Sequence, residues 1–189
     1  MHRHLLLATA ALALAFTAPA FSQQSSPTTS PTQPQTSEQN DLPAGSEATA
    51  STPQEFATMA AQSNMFEIES SRLALEKTKS DDVREFAQQM VDDHTKAGEE
   101  MTQAAASDGV NDVPKTLDAA HKQMVTQLEN ASADQFDSDY VQMQVMAHQQ
   151  AVALFSGYSK QQGALADFAE KTLPTLQQHL EHAQQLAKK

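Results

Sequence analysis

The chain has 189 residues, a formal net charge of −12, and neither cysteine nor tryptophan. Without cysteine there are no disulfides, so the fold must hold together by packing, with a bound metal as the available aid. The acidic balance argues against nucleic acid and anionic membrane as partners.

Residues 1–24 read MHRHLLLATAALALAFTAPAFSQQ: a short cationic start, an apolar run, then small residues. This layout predicts a secretory signal peptide over residues 1–22, cleaved after Ala20 or Ser22. The apolar run Leu5–Phe16 is shorter than the roughly 20 residues of a spanning helix. No second long apolar run follows, so no transmembrane segment is expected in the mature chain. No cysteine follows the run either, which excludes a lipid anchor on cysteine. The expected location is the bacterial periplasm, with outer-membrane association as a variant. Residues 23–52, which include QQSSPTTSPTQPQTSEQN, are too poor in apolar side chains to offset ordering entropy and read as a flexible linker. Residues 53–189 remain for one domain with one core.

That domain is rich in Ala, Gln, Leu, Met and Glu, all helix formers, and its breakers fall in a few places. Thr52-Pro53-Gln54-Glu55 is a capping box and opens a first helix running to about Lys79. Ser80-Asp81-Asp82 caps a second, from Asp81 to about Ala106, with its acids at the positive helix end. The tight turn between them predicts an antiparallel hairpin. SDGVNDVPKT is a loop, and a shorter helix from Leu117 to about Asn130 follows. A third long helix is expected from about Asp134 to Lys160, with Phe136, Tyr140, Met143, Ala147, Ala151, Leu154 and Tyr158 at helical spacing. Gln162-Gly163 turns the chain into a fourth, from about Ala164 to Ala187, in which Pro174 predicts a kink or a one-turn break. Two hairpins joined by a helical crossover give an all-α, ferritin-like four-helix bundle, the long crossover lying between the second and third long helices. A plain up-and-down bundle is the alternative.

Each long helix turns one potential metal ligand inward. On the first, Glu67 shares a narrow arc with Ala60, Ser63, Ser70 and Ala74; on the second, His94 continues the stripe of Val83, Phe86, Ala87 and Met90. On the third, His148 lies toward one edge of a broad apolar face; on the fourth, His179 shares a stripe with Leu165, Ala169, Leu176, Ala183 and Leu186. Counted from the turns at about 1.5 Å per residue, Glu67 and His94 fall within roughly 3 Å of one level, and His148 and His179 are also level. Three imidazoles and a carboxylate in one layer are a reasonable ligand set for a divalent ion, zinc first, with iron, copper or manganese as alternatives. The competing reading is a metal-free polar network in which Glu67 accepts from the histidines.

Other groups carry weaker signals. His182 turns away from the stripe of His179, and His121 sits on the crossover helix. Met90, Met143 and Met146 lie near His94 and His148 and would suit copper, but methionine on an apolar face is ordinary core. Asp92 and Asp93 are expected to face solvent or to support His94. No nucleophile–base pair, phosphate loop or HExxH motif is present, so no enzyme is indicated.

The blocks MFEIESSRLALEKTKSDDVREFAQQMVDDHTKAGEEM, FDSDYVQMQVMAHQQAVALF and LPTLQQHLEHAQQL resemble an uncharacterised family of bacterial exported proteins often labelled "predicted outer membrane protein", a domain of unknown function assigned to the ferritin-like fold. The resemblance implies that topology and an exported location, and it falls on Glu67, His94, His148 and His179. It names no reaction. Di-iron bundles carry Glu-x-x-His on two helices. Here the residues three before His94, His148 and His179 are Val91, Val145 and Leu176, so one metal is expected rather than two. The expected function is binding of one divalent ion in the bundle interior. The alternative is a metal-free interaction module with a partner in the cell envelope.

Overall fold

The computed structural model describes residues 49–189; the expected signal peptide and residues 23–48 of the expected linker lie outside them. The described chain is helical: α1 Pro53–Lys77, α2 Asp81–Ser107, α3 Ala119–Asn130, α4 Phe136–Tyr158 and α5 Ala164–Leu186.

Local chemistry sets the ends. Thr52 Oγ1 accepts from the Glu55 backbone N–H while the Glu55 carboxylate accepts from the Thr52 N–H, closing the capping box before Pro53. The Ser80 hydroxyl caps α2 by accepting from the Val83 N–H. α3 begins at Ala119 rather than Leu117, because Asp118 is its cap and accepts from the His121 N–H. α4 begins at Phe136 rather than Asp134, because Gln135 and Phe136 first donate to the Ser132 carbonyl in a preceding turn. Of the kink or one-turn break expected at Pro174, the break does not occur: α5 continues through it. Proline inside a helix costs about 3 kcal/mol, and burial of Leu176, His179, Ala183 and Leu186 beyond it offsets that. The start of α5 is capped from α2: the Asp108 carboxylate accepts from the backbone N–H groups of Ala164 and Leu165, both at 2.8 Å. Gly163 (φ 113°) is required there, since a Cβ would meet an Asp108 oxygen at 2.8 Å.

α1 packs on α2 and α4 on α5; α2 also packs on α5, α1 on α4, and α3 lies mainly along α1. Phe56 stacks on Tyr158 at 4.1 Å, joining the start of α1 to the end of α4. At the opposite end, Lys77 Nζ lies 5.2 Å over the Phe136 ring. α2 and α4 therefore run in the same direction, and residues 108–135 cross the length of the domain between them. No described helix is long and apolar enough to cross a membrane.

The core has two apolar clusters. The upper one, at the start of α1, gathers Phe56, Met101, Leu154, Phe155, Phe168 and Leu176. The lower one gathers Phe66, Phe86, Met90, Phe136, Tyr140 and Leu186. Where the two clusters meet, each long helix carries a buried ionisable residue: Glu67, His94, His148 or His179.

Candidate metal centre

The three imidazoles cluster, with ring centroids 5.7 Å apart for His94 and His148, 5.4 Å for His94 and His179, and 5.5 Å for His148 and His179; His148 stands edge-on to both others, which are tilted at 40° to each other. One potential ligand atom from each lies within 4.8 Å of those of the other two. All three rings are buried, at 4% exposure or less.

Hydrogen bonds on the outer side of each ring decide which nitrogen is free. His148 Nδ1 lies 2.8 Å from the Gln144 carbonyl of its own helix, an acceptor only, so that nitrogen carries the proton. His179 Nε2 lies 2.9 Å from the Asp93 carboxylate and donates to it. His94 Nδ1 faces two oxygens, Glu67 Oε2 at 2.8 Å and Asn64 Oδ1 at 3.0 Å. The neutral tautomers these bonds select leave lone pairs on His94 Nε2, His148 Nε2 and His179 Nδ1. Those three atoms are buried and have no hydrogen-bond partner among the described residues. A buried polar atom left unsatisfied costs about 1–3 kcal/mol, and three lone pairs cannot satisfy one another. An ion at their centre would. A tetrahedral ion bonded at 2.0–2.1 Å spaces its nitrogens about 3.4 Å apart, so closure needs side-chain shifts of about 1 Å.

Burial favours the neutral, ligand form of His148 and His179. Burial lowers the pKa of His148, with the charge of His94 adding to it and Glu67 opposing. Burial, then the charge of His94, brings His179 down to about 4 against the pull of Asp93. Burial alone would raise the Glu67 carboxyl, but the charges of His94 and His148 and the hydrogen bond from His94 outweigh it and hold it below the ordinary carboxylate range.

Three of the four residues singled out in the sequence thus converge, and Glu67 stands outside them. Its carboxylate lies behind His94 and 3.9 Å from His148 Nδ1, against the protonated nitrogens rather than the free ones. Asp93 supports His179 across the helix interface, not His94 as expected, because it is half exposed and turned toward α5. Asp92 is exposed and accepts from Gln88. Asn64 escaped the sequence reading. Its signals were its place three residues before Glu67 and the glycine opposite: a Cβ on Gly98 would meet Asn64 Nδ2 at 2.9 Å.

The remaining candidates pack elsewhere. His182 lies edge-on to Phe86, with centroids 5.0 Å apart. His121 Nδ1 donates to Asp118 beside Phe66. Met90 and Met143 belong to the lower apolar cluster, and Met146 is half-buried.

The sequence pattern described as "Domain of unknown function (DUF4142)" matches residues 22–186. No curated protein matches the chain. Its fold is similar to that in the crystal structure of a DUF305 fragment from Deinococcus radiodurans, with a TM-score of 0.63, 14% identity, and coverage of 72% of this chain and 95% of that one. At that identity the likeness concerns the fold alone. The chain belongs to the DUF4142 family.

Proposed function

We propose that this family member is an exported, ferritin-like four-helix bundle that binds one divalent metal ion through His94, His148 and His179. The observation that carries the reading is the convergence of three buried imidazoles, each with one unpartnered nitrogen and the other fixed by an oxygen. Such outer partners orient imidazole ligands and raise their basicity, and their chemistry here is that of a built site. Glu67 acts from behind His94, as an orienting group and as one negative charge against the ion. Neutral imidazoles suit zinc first, with iron, copper and manganese following. The layout of residues 1–52 supports export to the periplasm on a flexible linker.

A metal-free interaction module is the second reading. It draws on the Glu67–His94 pair, which fixes helix register without an ion, but it leaves the three nitrogens unsatisfied. Metal content of untagged protein, measured beside His148→Ala, tests the proposal. Near-stoichiometric metal in the parent, lost in the variant, is the expected result. Absence of metal in both, with no uptake on titration, would leave the second reading standing.

A further inference from the structure

The three rings of the histidine layer differ in what holds them from outside. His148 Nδ1 donates to a carbonyl of its own helix, that of fully buried Gln144, and His94 Nδ1 meets the Glu67 carboxylate, itself 1% exposed. His179 is held across a helix interface: its side chain is 2% exposed, whereas that of Asp93, 2.9 Å from its Nε2, is 42% exposed. Of the carboxylates that bond the three rings, Asp93 alone reaches solvent. No lysine or arginine among the described residues pairs with it, while two turns further along α2 Glu100 is neutralised by Lys171 at 2.9 Å. α5 is also the one long helix with a proline in its interior, five residues before His179. Pro174 has no N–H to give the Glu170 carbonyl, so a main-chain bond is missing close to this ligand.

We infer that the ion enters and leaves between α2 and α5, with Asp93 as its entry ligand and His179 as the gate. The uncompensated carboxylate holds the ion at the surface. A pair open to solvent contributes little stability and opens readily, which lets the His179 ring turn aside and then close with its free Nδ1 on the ion, beside Nε2 of His94 and His148. The proton on His179 Nε2 stays on the ring, and Asp93 returns to it as the outer partner of the filled site. The inference rests on the metal reading above and adds to it a route and the residues that control it.

The test follows Zn(II) uptake by the full chain in stopped flow against a chromophoric chelator, with release measured into excess chelator. Asp93→Asn keeps an oxygen for His179 Nε2 but removes the charge, and uptake should slow by roughly tenfold or more, as for a charge at an entrance. Asp92→Asn, the same loss of charge one residue away on a side chain that does not touch the layer, should slow it far less. Pro174→Ala restores the main-chain bond and should slow uptake and release together with Kd nearly unchanged, because a gate acts equally in both directions. Unchanged uptake with faster release in Asp93→Asn would make Asp93 an orienting group only and overturn the route. Equal slowing in Asp92→Asn and Asp93→Asn would reduce the effect to long-range charge and overturn the entry ligand. Unchanged rates in Pro174→Ala would overturn the part assigned to α5. Absence of Zn(II) uptake by the parent would overturn the metal reading and this inference together.

Discussion

The turn of helix below the histidine layer and the turn above it solve the same packing problem differently. Below, polar side chains bond across helices: the Gln144 side-chain amide donates to the Ser70 hydroxyl at 2.9 Å, and the Ser71 and Tyr140 hydroxyls share a bond of 2.8 Å, while Gln144 Oε1 has no partner among the described residues. Tyr140 is also the largest fully buried side chain among the described residues, and its hydroxyl is held in the neutral form, chiefly by burial. Above, small residues leave a cavity and the floor carries a buried carboxylate. Between them, three nitrogens have no partner. Side chains bonded across helices give register and stability; three buried rings with unpartnered nitrogens could hold an ion. Different substitutions should separate the two.

The largest expected effect is on metal content. His148→Ala removes a central ligand and should abolish stoichiometric binding, whereas Tyr140→Phe, below the layer, should leave binding intact; mass spectrometry of the purified proteins checks both.

Acid should act next, and on the layer itself. In the metal-free protein His179 titrates near 4, against about 6.5 in the unfolded chain. Between those values the unfolded state binds the extra proton, so this contribution is fully present above about pH 6.5 and is lost as pH falls toward 4. A shift of that size corresponds to roughly 3 kcal/mol. The lowered His148 acts with the same sign, and the lowered Glu67 continues the loss at more acid pH. Urea unfolding between pH 7 and 4 should show the loss, and Tyr140→Phe should leave its pH window unmoved.

Metal itself should stabilise the fold. At a hundredfold excess over Kd, linkage gives about 2.7 kcal/mol, a rise in Tm on the order of 10 °C for a domain of this size. EDTA should reverse it; identical melting with and without chelator would remove the distinction between the layers.

The outer partners come lower. Asp93→Ala frees His179 Nε2 at a half-exposed position, so metal affinity should fall by roughly 10–100-fold, with little change in the melting of the metal-free protein. Calorimetric metal titration measures it. Smallest is Tyr140→Phe, which breaks the bond to Ser71 and should cost about 1 kcal/mol in urea unfolding.

Much of this was legible in the sequence, for a physical reason. Helical spacing and a fixed rise per residue determine which side chains turn inward and at what height; Glu67, His94, His148 and His179 do share one buried layer. The capping box at Thr52 and the crossover between α2 and α4 follow from equally local chemistry. What spacing cannot supply is ring orientation. The free nitrogen is Nε2 in His94 and His148 but Nδ1 in His179, and oxygens from Asn64, Gln144 and Asp93 decide this. The same limit placed Glu67 with the ligands, although its carboxylate lies behind them. Asp93 was assigned to the histidine next to it in sequence, while its partner lies on another helix. At Pro174 the helix continues without a one-turn break, held by the packing of buried residues downstream.

The most direct test is zinc K-edge X-ray absorption on the zinc-loaded full chain. The account predicts three imidazole nitrogens at about 2.0–2.1 Å, with the imidazole count falling in His179→Ala. Zinc bound through oxygen alone, or a spectrum indifferent to His94, His148 and His179, would contradict it.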